Sequence, residues 1–111
     1  MKLIERKCVP CEGGTPPFGQ EQIAEYIAQL GKGWEVIEGT KIKKQFKFFD
    51  FKETMKFVSK VASIAEEQQH HPDMHVFYGK VVIELWTHAV NGLSENDFIL
   101  AAKIDQAIEQ E

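Results

Sequence analysis

The fold is decided by residues 42–72, which read IKKQFKFFDFKETMKFVSKVASIAEEQQHHP. From Ile42 to Phe49 apolar and polar side chains largely alternate, which is the period-two pattern of a half-buried strand. Asp50, with Glu53 three residues later, resembles the capping box of a helix start. A stripe at helical spacing follows, made of Phe51, Met55, Val58, Val61, Ala62 and Ala65. This stretch therefore predicts a strand followed directly by a long amphipathic helix.

A helix and a first strand are predicted upstream. Apolar residues at i, i+4 and i+7 indicate an amphipathic helix over residues 20–30, with Gly31 as its C-terminal stop. Residues 34–38 favour a short strand, and Gly39–Thr40 makes a turn after it. We therefore expect this strand to form a hairpin with residues 42–49.

Two further strands are predicted downstream of the long helix. That helix ends near Gln69, because Pro72 disfavours helical dihedrals at the preceding residue and lacks an N–H donor. Residues 75–78 and 80–88 favour strands joined tightly at Gly79. In the second of these strands one face carries Val81, Ile83, Leu85 and Thr87, and the other carries Val82, Glu84, Trp86 and His88.

A third helix completes the predicted fold. Ser94 and Asp97 open it as an S-x-x-D cap, and its buried stripe consists of Leu100, Ala101, Ile104 and Ile108. Short connections within each strand pair imply antiparallel pairing. We predict an α+β, two-layer fold: a four-stranded antiparallel sheet with three helices on one face, in the order α-β-β-α-β-β-α. Val82 and Trp86 would leave apolar surface on the other face, so we expect a homo-oligomer, either a dimer or a tetramer.

Length and charge bound the class of protein. The chain has 111 residues, of which 43% are hydrophobic, and we expect an N-terminal extension and linker over residues 1–17 and a single domain over residues 18–111. A formal net charge of −4, with no basic run longer than Lys43-Lys44, argues against nucleic-acid binding. Because no long apolar run occurs, we also expect no membrane segment or signal peptide, and a cytoplasmic location.

The two cysteines, Cys8 and Cys11, form a C-x-x-C pair that permits two interpretations. Such a loop can supply half of a zinc site or a redox pair. No second C-x-x-C exists, and the Gly- and Pro-rich residues 12–17 do not permit the helix that follows a thioredoxin-like motif. We favour a reduced extension that folds against the domain.

All four histidines lie between positions 70 and 88, as His70, His71, His75 and His88. Three interpretations compete: a metal site, hydrogen bonding to loop backbone, or acid–base chemistry. The spacing is not H-x-x-x-H, adjacent histidines rarely ligate one ion, and no carboxylate or cysteine pattern completes a familiar ligand shell. We favour metal-free proton transfer in a cleft between helix and sheet.

The histidine region also resembles a known family. Residues 66–72, EEQQHHP, followed by Tyr78, His88 and Asp97, are similar to the signature of the pterin-4a-carbinolamine dehydratases, also known as the dimerisation cofactor of a homeodomain transcription factor. The resemblance covers roughly residues 18–109. Further similar stretches are Gly33-Trp34, Phe46-Lys47-Phe48 with Asp50-Phe51, and Gly92-Leu93-Ser94-Glu95. The N-terminal Cys-Val-Pro-Cys-Glu-Gly-Gly resembles bacterial members, in which it is not a catalytic element.

The resemblance implies a reaction and a set of site residues. The reaction is dehydration of 4a-hydroxytetrahydropterin to quinonoid dihydropterin, which recycles the tetrahydrobiopterin spent by aromatic amino acid hydroxylases. Neither proton transfer needs a metal or another cofactor, and the pterin itself is the substrate. His70, His71 and His88 would line the site, with His70 and His88 as the proton donor and acceptor in unassigned order and His71 orienting the pterin. The implied substrate-binding residues are Glu66, Pro72, Thr87, Ala89 and Asp97.

Several positions carry alternatives or depart from the family. Glu66 could equally be a solvated helix end, and Asp97 an N-terminal cap partner. Gln69 stands where the family often has an acidic residue, and Ala89 replaces a polar residue or thiol of some animal members, so any contact there must come from backbone. Trp34 could be a wall of the cleft, but we favour a strand-core aromatic. The alternative function is a non-catalytic binding module that stabilises a partner protein's dimer.

Overall fold

The computed structural model describes residues 2–10 and 15–109, and Cys11 and residues 12–14 of the predicted linker lie outside them. The predicted order of elements is confirmed. The helices and strands are α1 Gln20–Ile27, β1 Glu35–Ile37, β2 Lys41–Lys47, α2 Phe51–Gln68, β3 Asp73–Phe77, β4 Lys80–Leu85 and α3 Glu95–Glu109. Two short 3-10 helices cover Leu3–Glu5 and His88–Val90. Within the described residues, no helix combines the length and the apolar character needed to cross a membrane.

The four strands form one antiparallel sheet, as predicted, and their order in the sheet is β1-β2-β4-β3. Ile42 pairs with Leu85 and Phe46 with Val81, so these buried side chains share the face that carries the core. The alternation predicted for the last strand is confirmed, because Val81, Ile83, Leu85 and Thr87 are all buried. All three helices contribute residues to this core, which gives the predicted two-layer α+β fold.

The long helix α2 begins as predicted, but its buried stripe matches the prediction only in part: Val61 and Ala65 are buried and Val58 packs against the core. Asp50 caps it by accepting a 2.9 Å hydrogen bond from the backbone N–H of Glu53. The predicted stripe was wrong at Phe51, Met55 and Ala62, which are exposed. The buried residues of α2 are Thr54, Phe57, Val61, Ala65 and Gln68.

A packing requirement explains this rotation of the buried face. Phe57 fills the space above the sheet, with its ring centroid 4.7 Å from that of Phe46 and 5.0 Å from that of Phe48. Thr54 can then be buried, because its hydroxyl lies 2.8 Å from the carbonyl oxygens of both Asp50 and Tyr78. The sheet thus selects one of the two apolar faces that α2 offers.

Several element boundaries also differ from the prediction. Helix α1 ends at Ile27 rather than near Leu30, and β3 begins at Asp73 rather than His75. Strand β4 ends at Leu85 instead of His88, because Thr87 pairs with Gly92 as an isolated bridge that folds the chain back on itself. His88 therefore opens a 3-10 helix rather than ending a strand.

The fold around this bridge needs a glycine. A Cβ added to Gly92 would lie 2.7 Å from the Cβ of Pro17, which is closer than two such atoms approach.

Trp34 lies in the core, where its indole N–H donates to Asp105 at 2.9 Å, so the interpretation as a strand-core aromatic is confirmed.

Candidate active site

The three predicted site histidines line one cleft, at the point where the C-terminal end of α2 approaches the segment after β4. The cleft has a volume of about 430 Å³. Its lining residues are Val9, Pro10, Gln69, His70, His71, Pro72, Asp73, Trp86, Thr87, His88, Ala89 and Asn96. The fold thus brings together residues from the N-terminus, from the end of α2 and from the start of α3.

The end of α2 determines where His70 lies. Gln69 adopts a left-handed conformation (φ 52°). The backbone N–H of His70 donates to the carbonyl of Ala65 at 3.3 Å, and that of Gln69 to the carbonyl of Glu66 at 3.4 Å. This pair of bonds is a Schellman motif, which stops the helix and turns the chain. His70 is therefore held at a fixed position just beyond the helix end.

His70 is also held through its ring by Asp97. Its Nε2 lies 2.6 Å from Oδ1 of Asp97, whose side chain has no exposed surface, while that of His70 is 11% exposed. The second carboxylate oxygen accepts from the Thr87 hydroxyl at 2.8 Å and from the backbone N–H of Ser94 at 3.0 Å. Because Nε2 faces the carboxylate, Nδ1 is the ring nitrogen left for a ligand.

Asp97 also contacts the start of its own helix. As the fourth residue of the S-x-x-D pattern it accepts the backbone N–H of Ser94, which is the predicted role of a cap partner. The Ser94 hydroxyl in turn lies 2.7 Å from the hydroxyl of Thr87. The start of α3 and the orientation of His70 therefore depend on the same buried carboxylate.

His71 makes a similar contact in a different environment. Its Nε2 lies 2.5 Å from Oε2 of Glu66, and the two side chains are 56% and 72% exposed. Glu66 and Asp97 are not among the residues that line the cleft, and each contacts a histidine that does. Both carboxylates are thus placed to act on a bound molecule through an imidazole.

The third histidine, His88, lies against an aromatic ring. Its ring stacks on that of Trp86 with 3.8 Å between centroids and 24° between planes. The indole N–H of Trp86 donates to Asp73 at 3.2 Å, and both residues line the cleft. His88 is consequently oriented by stacking and His70 by hydrogen bonding.

His75 is separate from the other three histidines. It lies on β3, opposite Val82 of β4, and its Nε2 is 3.5 Å from the carboxylate of Glu84. Within the described parts of the chain, no group of three or more His, Cys, Asp or Glu side chains is arranged to hold a metal ion. The cluster seen in the sequence thus divides into three cleft residues and one residue of the sheet.

Sequence reasoning missed about half of the cleft. Gln69, Asp73 and Trp86 flank predicted residues in the sequence, so proximity to the motif was an available signal. Val9, Pro10 and Asn96 are also part of the lining. No local pattern brings Val9 to the histidines, because its backbone is bound by Asn96, which lies 87 positions away in the sequence.

Comparison with known proteins agrees with the residue pattern. The family model described as pterin 4 alpha carbinolamine dehydratase matches residues 16–107. The chain belongs to this family. A protein named putative pterin-4-alpha-carbinolamine dehydratase from Rickettsia canadensis is 46% identical over 96% of this chain and 97% of its own length. One of the same name from Nitrosospira multiformis is 50% identical over 93% of this chain and 89% of its own length. The family expected from the sequence is thus confirmed.

Two solved structures share the fold. The transcriptional coactivator/pterin dehydratase from Brucella melitensis superimposes with a TM-score of 0.76 at 32% identity, over 81% of this chain and 96% of its own. A pterin dehydratase-like protein described as a RuBisCO assembly factor in the alpha-carboxysome gives a TM-score of 0.58 at 24% identity, over 67% of this chain and 87% of its own. The second likeness concerns the fold alone.

Proposed function

We propose that this protein is a lyase that dehydrates 4a-hydroxytetrahydropterin to quinonoid dihydropterin, as part of tetrahydrobiopterin recycling. The observation that carries the proposal is the meeting of His70, His71 and His88 in one cleft, with His70 fixed by the buried Asp97. The names of relatives at 43% to 50% identity support the same reaction. Dehydration removes hydroxide from C4a and a proton from N5, so it requires a general acid and a general base.

His70 is the general base in this proposal. The carboxylate of Asp97 occupies its Nε2, which leaves Nδ1 to accept the N5 proton of the pterin. Asp97 orients the ring and balances the positive charge that forms on it, as a carboxylate does behind other catalytic histidines. Burial of Asp97 keeps this orientation fixed through the reaction.

His88 is the general acid that protonates the departing hydroxide. It lines the same cleft as His70 and its ring stacks on Trp86, so the two histidines can act on one substrate. His71, with Glu66 beside it, orients the pterin at the exposed side of the cleft. Pro72, Thr87 and Ala89 line the cleft, and we propose that they contact the substrate.

The test is the decay of 4a-hydroxytetrahydropterin, generated by an aromatic amino acid hydroxylase and followed by stopped-flow absorbance with and without the protein. We expect the protein to accelerate this decay, and to do so equally after it alone has been treated with a strong chelator, because proton transfer by imidazoles needs neither a metal nor another cofactor. Activity that the chelator abolishes and zinc restores would replace this mechanism with a metal-dependent one. No acceleration by the wild-type chain would overturn the proposed reaction itself.

A second candidate function is a binding module that stabilises the dimer of a partner protein. This candidate is supported by the description of the Brucella melitensis protein as a transcriptional coactivator as well as a pterin dehydratase. A module of this kind has no use for a histidine held by a buried carboxylate, so we rank dehydration first.

We also propose a homo-oligomer, which light scattering after size-exclusion chromatography would detect as a mass of two or four chains.

A further inference from the structure

We propose that the N-terminal arm, residues 2–10, supplies an apolar wall of the substrate site, and that Val9 is a specificity-determining residue placed there by Asn96. This inference rests on the proposed pterin substrate. Val9 and Pro10 line the same cleft as His70, His71 and His88. Most other lining side chains are polar or ionisable, so these two residues give one side of the cleft a different chemistry.

The arm is attached along the length of α3. Leu3 is buried in the core, and Lys103 donates to the carbonyl of Ile4 at 2.8 Å. Arg6 forms a 2.9 Å ion pair with Glu95 in the first turn of α3. The arm therefore runs antiparallel to the helix and reaches the cleft at the helix start.

Two buried amide side chains hold the end of the arm. The backbone N–H of Val9 donates to Oδ1 of Asn96 at 3.0 Å, and Nδ2 of Asn96 donates to the carbonyl of Val9 at 2.6 Å. The backbone N–H of Cys8 donates to Oε1 of Gln68 at 2.9 Å. Asn96 thus binds Val9 as a neighbouring strand would, through both backbone groups of one residue.

The placement of these amides connects the arm to the proposed chemistry. Asn96 directly precedes Asp97, and Gln68 comes two residues before His70. The wall and the proposed base are therefore built on the same two helix ends, so their separation is fixed by the fold.

Packing does not explain why Val9 is held so firmly. Val9 is 64% exposed, although three hydrogen bonds fix the backbone at Cys8 and Val9. An apolar side chain that is positioned but not buried is suited to contact a ligand that covers it. The flat pterin ring, or the substituent at its C6, presents the apolar surface that such a wall fits.

The test is steady-state kinetics of the Val9→Ala variant with 4a-hydroxytetrahydropterin. We expect KM to rise about tenfold with kcat nearly unchanged, because an apolar contact outside the reacting atoms is lost. Val36→Ala is the matched control, since Val36 is also an exposed valine but lies on β1, outside the cleft lining. An unchanged KM in Val9→Ala, with an active wild type, would overturn this inference and leave the dehydratase proposal intact.

Asn96→Ala tests the positioning role. We expect a rise in KM similar to that of Val9→Ala and little further loss in the double variant, because Asn96 acts through Val9. Lys103→Ala loosens the arm at its far end and should leave KM unchanged. Rises in KM that multiply in the double variant would show that Asn96 does not act through Val9.

A binding measurement separates the two proposals. A stable dihydropterin should quench tryptophan fluorescence through Trp86 at the cleft, and Val9→Ala should weaken its binding by the same factor as KM. If the wild type binds the dihydropterin but does not turn over the hydroxypterin, weaker binding by Val9→Ala would support the wall without the reaction. A wild type that neither binds nor reacts would overturn both.

Discussion

His70 and His71 are adjacent in the sequence, and each places Nε2 against a carboxylate, yet their surroundings differ. The distances are nearly equal, 2.6 Å to Asp97 and 2.5 Å to Glu66. In the first pair Asp97 is fully buried and has two further donors, and His70 is only 11% exposed, whereas both members of the second pair are more than half exposed. Contact distance therefore does not distinguish the two pairs, but burial and additional partners do.

The difference has energetic consequences. An exposed ion pair contributes about 0 to 1 kcal/mol, because solvent screens it and two mobile side chains must be ordered. A buried carboxylate has lost its hydration. Deleting one partner of a buried pair therefore lowers the free energy of unfolding by about 3 to 5 kcal/mol, because the other partner is left buried without compensation. His70 is therefore held in one orientation, whereas His71 remains free to adjust to the substrate.

The largest effect is expected from removing the proposed acid and base. His70→Ala and His88→Ala should each lower kcat by about two to four orders of magnitude, and the double variant should lose less than the sum of the two free-energy losses. Stopped-flow absorbance under single-turnover conditions would measure the rate of dehydration by each single variant and by the double variant. His75→Ala is the control, because His75 lies on β3 away from the cleft, and it should retain wild-type activity. Equal damage in His75→Ala, with an unchanged circular dichroism spectrum, would mean that the wrong histidines have been chosen.

The buried carboxylate should give the next largest effect. Asp97→Asn keeps the size of the side chain but removes its charge. The new amide N–H₂ group would face the donors that now bind the carboxylate, so a hydrogen bond is lost. We expect kcat to fall by about two orders of magnitude and the free energy of unfolding to fall by about 1 to 3 kcal/mol. Kinetics and urea denaturation of the same preparation would test both. If kcat is unchanged while stability falls, Asp97 is a helix cap only.

The exposed carboxylate provides the matched comparison. Glu66→Gln makes the same chemical change in the pair with His71, and we expect the free energy of unfolding to change by less than about 0.5 kcal/mol. The rate should fall no more than about threefold, since solvent already screens this pair. Should Glu66→Gln prove as damaging as Asp97→Asn, burial would not be what separates the two histidine–carboxylate pairs.

The smallest effect is expected at the cysteines. Cys8→Ser combined with Cys11→Ser should leave fold and activity nearly unchanged, because the sequence holds no other cysteine that could complete a metal site. The Cys8 sulfur lies 3.5 Å from the carbonyl oxygen of Asn96, a contact that a serine hydroxyl can also make. Native mass spectrometry that finds one zinc per chain, lost in the double variant together with a large drop in Tm, would identify the arm as a metal-binding segment.

Most of the local structure was predictable from the sequence. The order of helices and strands, the cap at Asp50 and the buried alternation of β4 were all predicted and confirmed. Each depends on side chains within about four positions of one another, so periodicity and capping are sufficient to define them. The histidine motif was also visible in the sequence, because His70, His71 and Pro72 are consecutive.

The tertiary structure decided how those elements face one another. Helix α2 has apolar residues on two faces, and the shape of the sheet selected Phe57 over Phe51. Only the packing of α3 against α2 places Asp97 behind His70, and only the course of the arm along α3 brings Val9 into the cleft. These contacts join residues 27 to 87 positions apart. Local sequence determines the elements, whereas contacts over such separations arise only when several elements bury a common core.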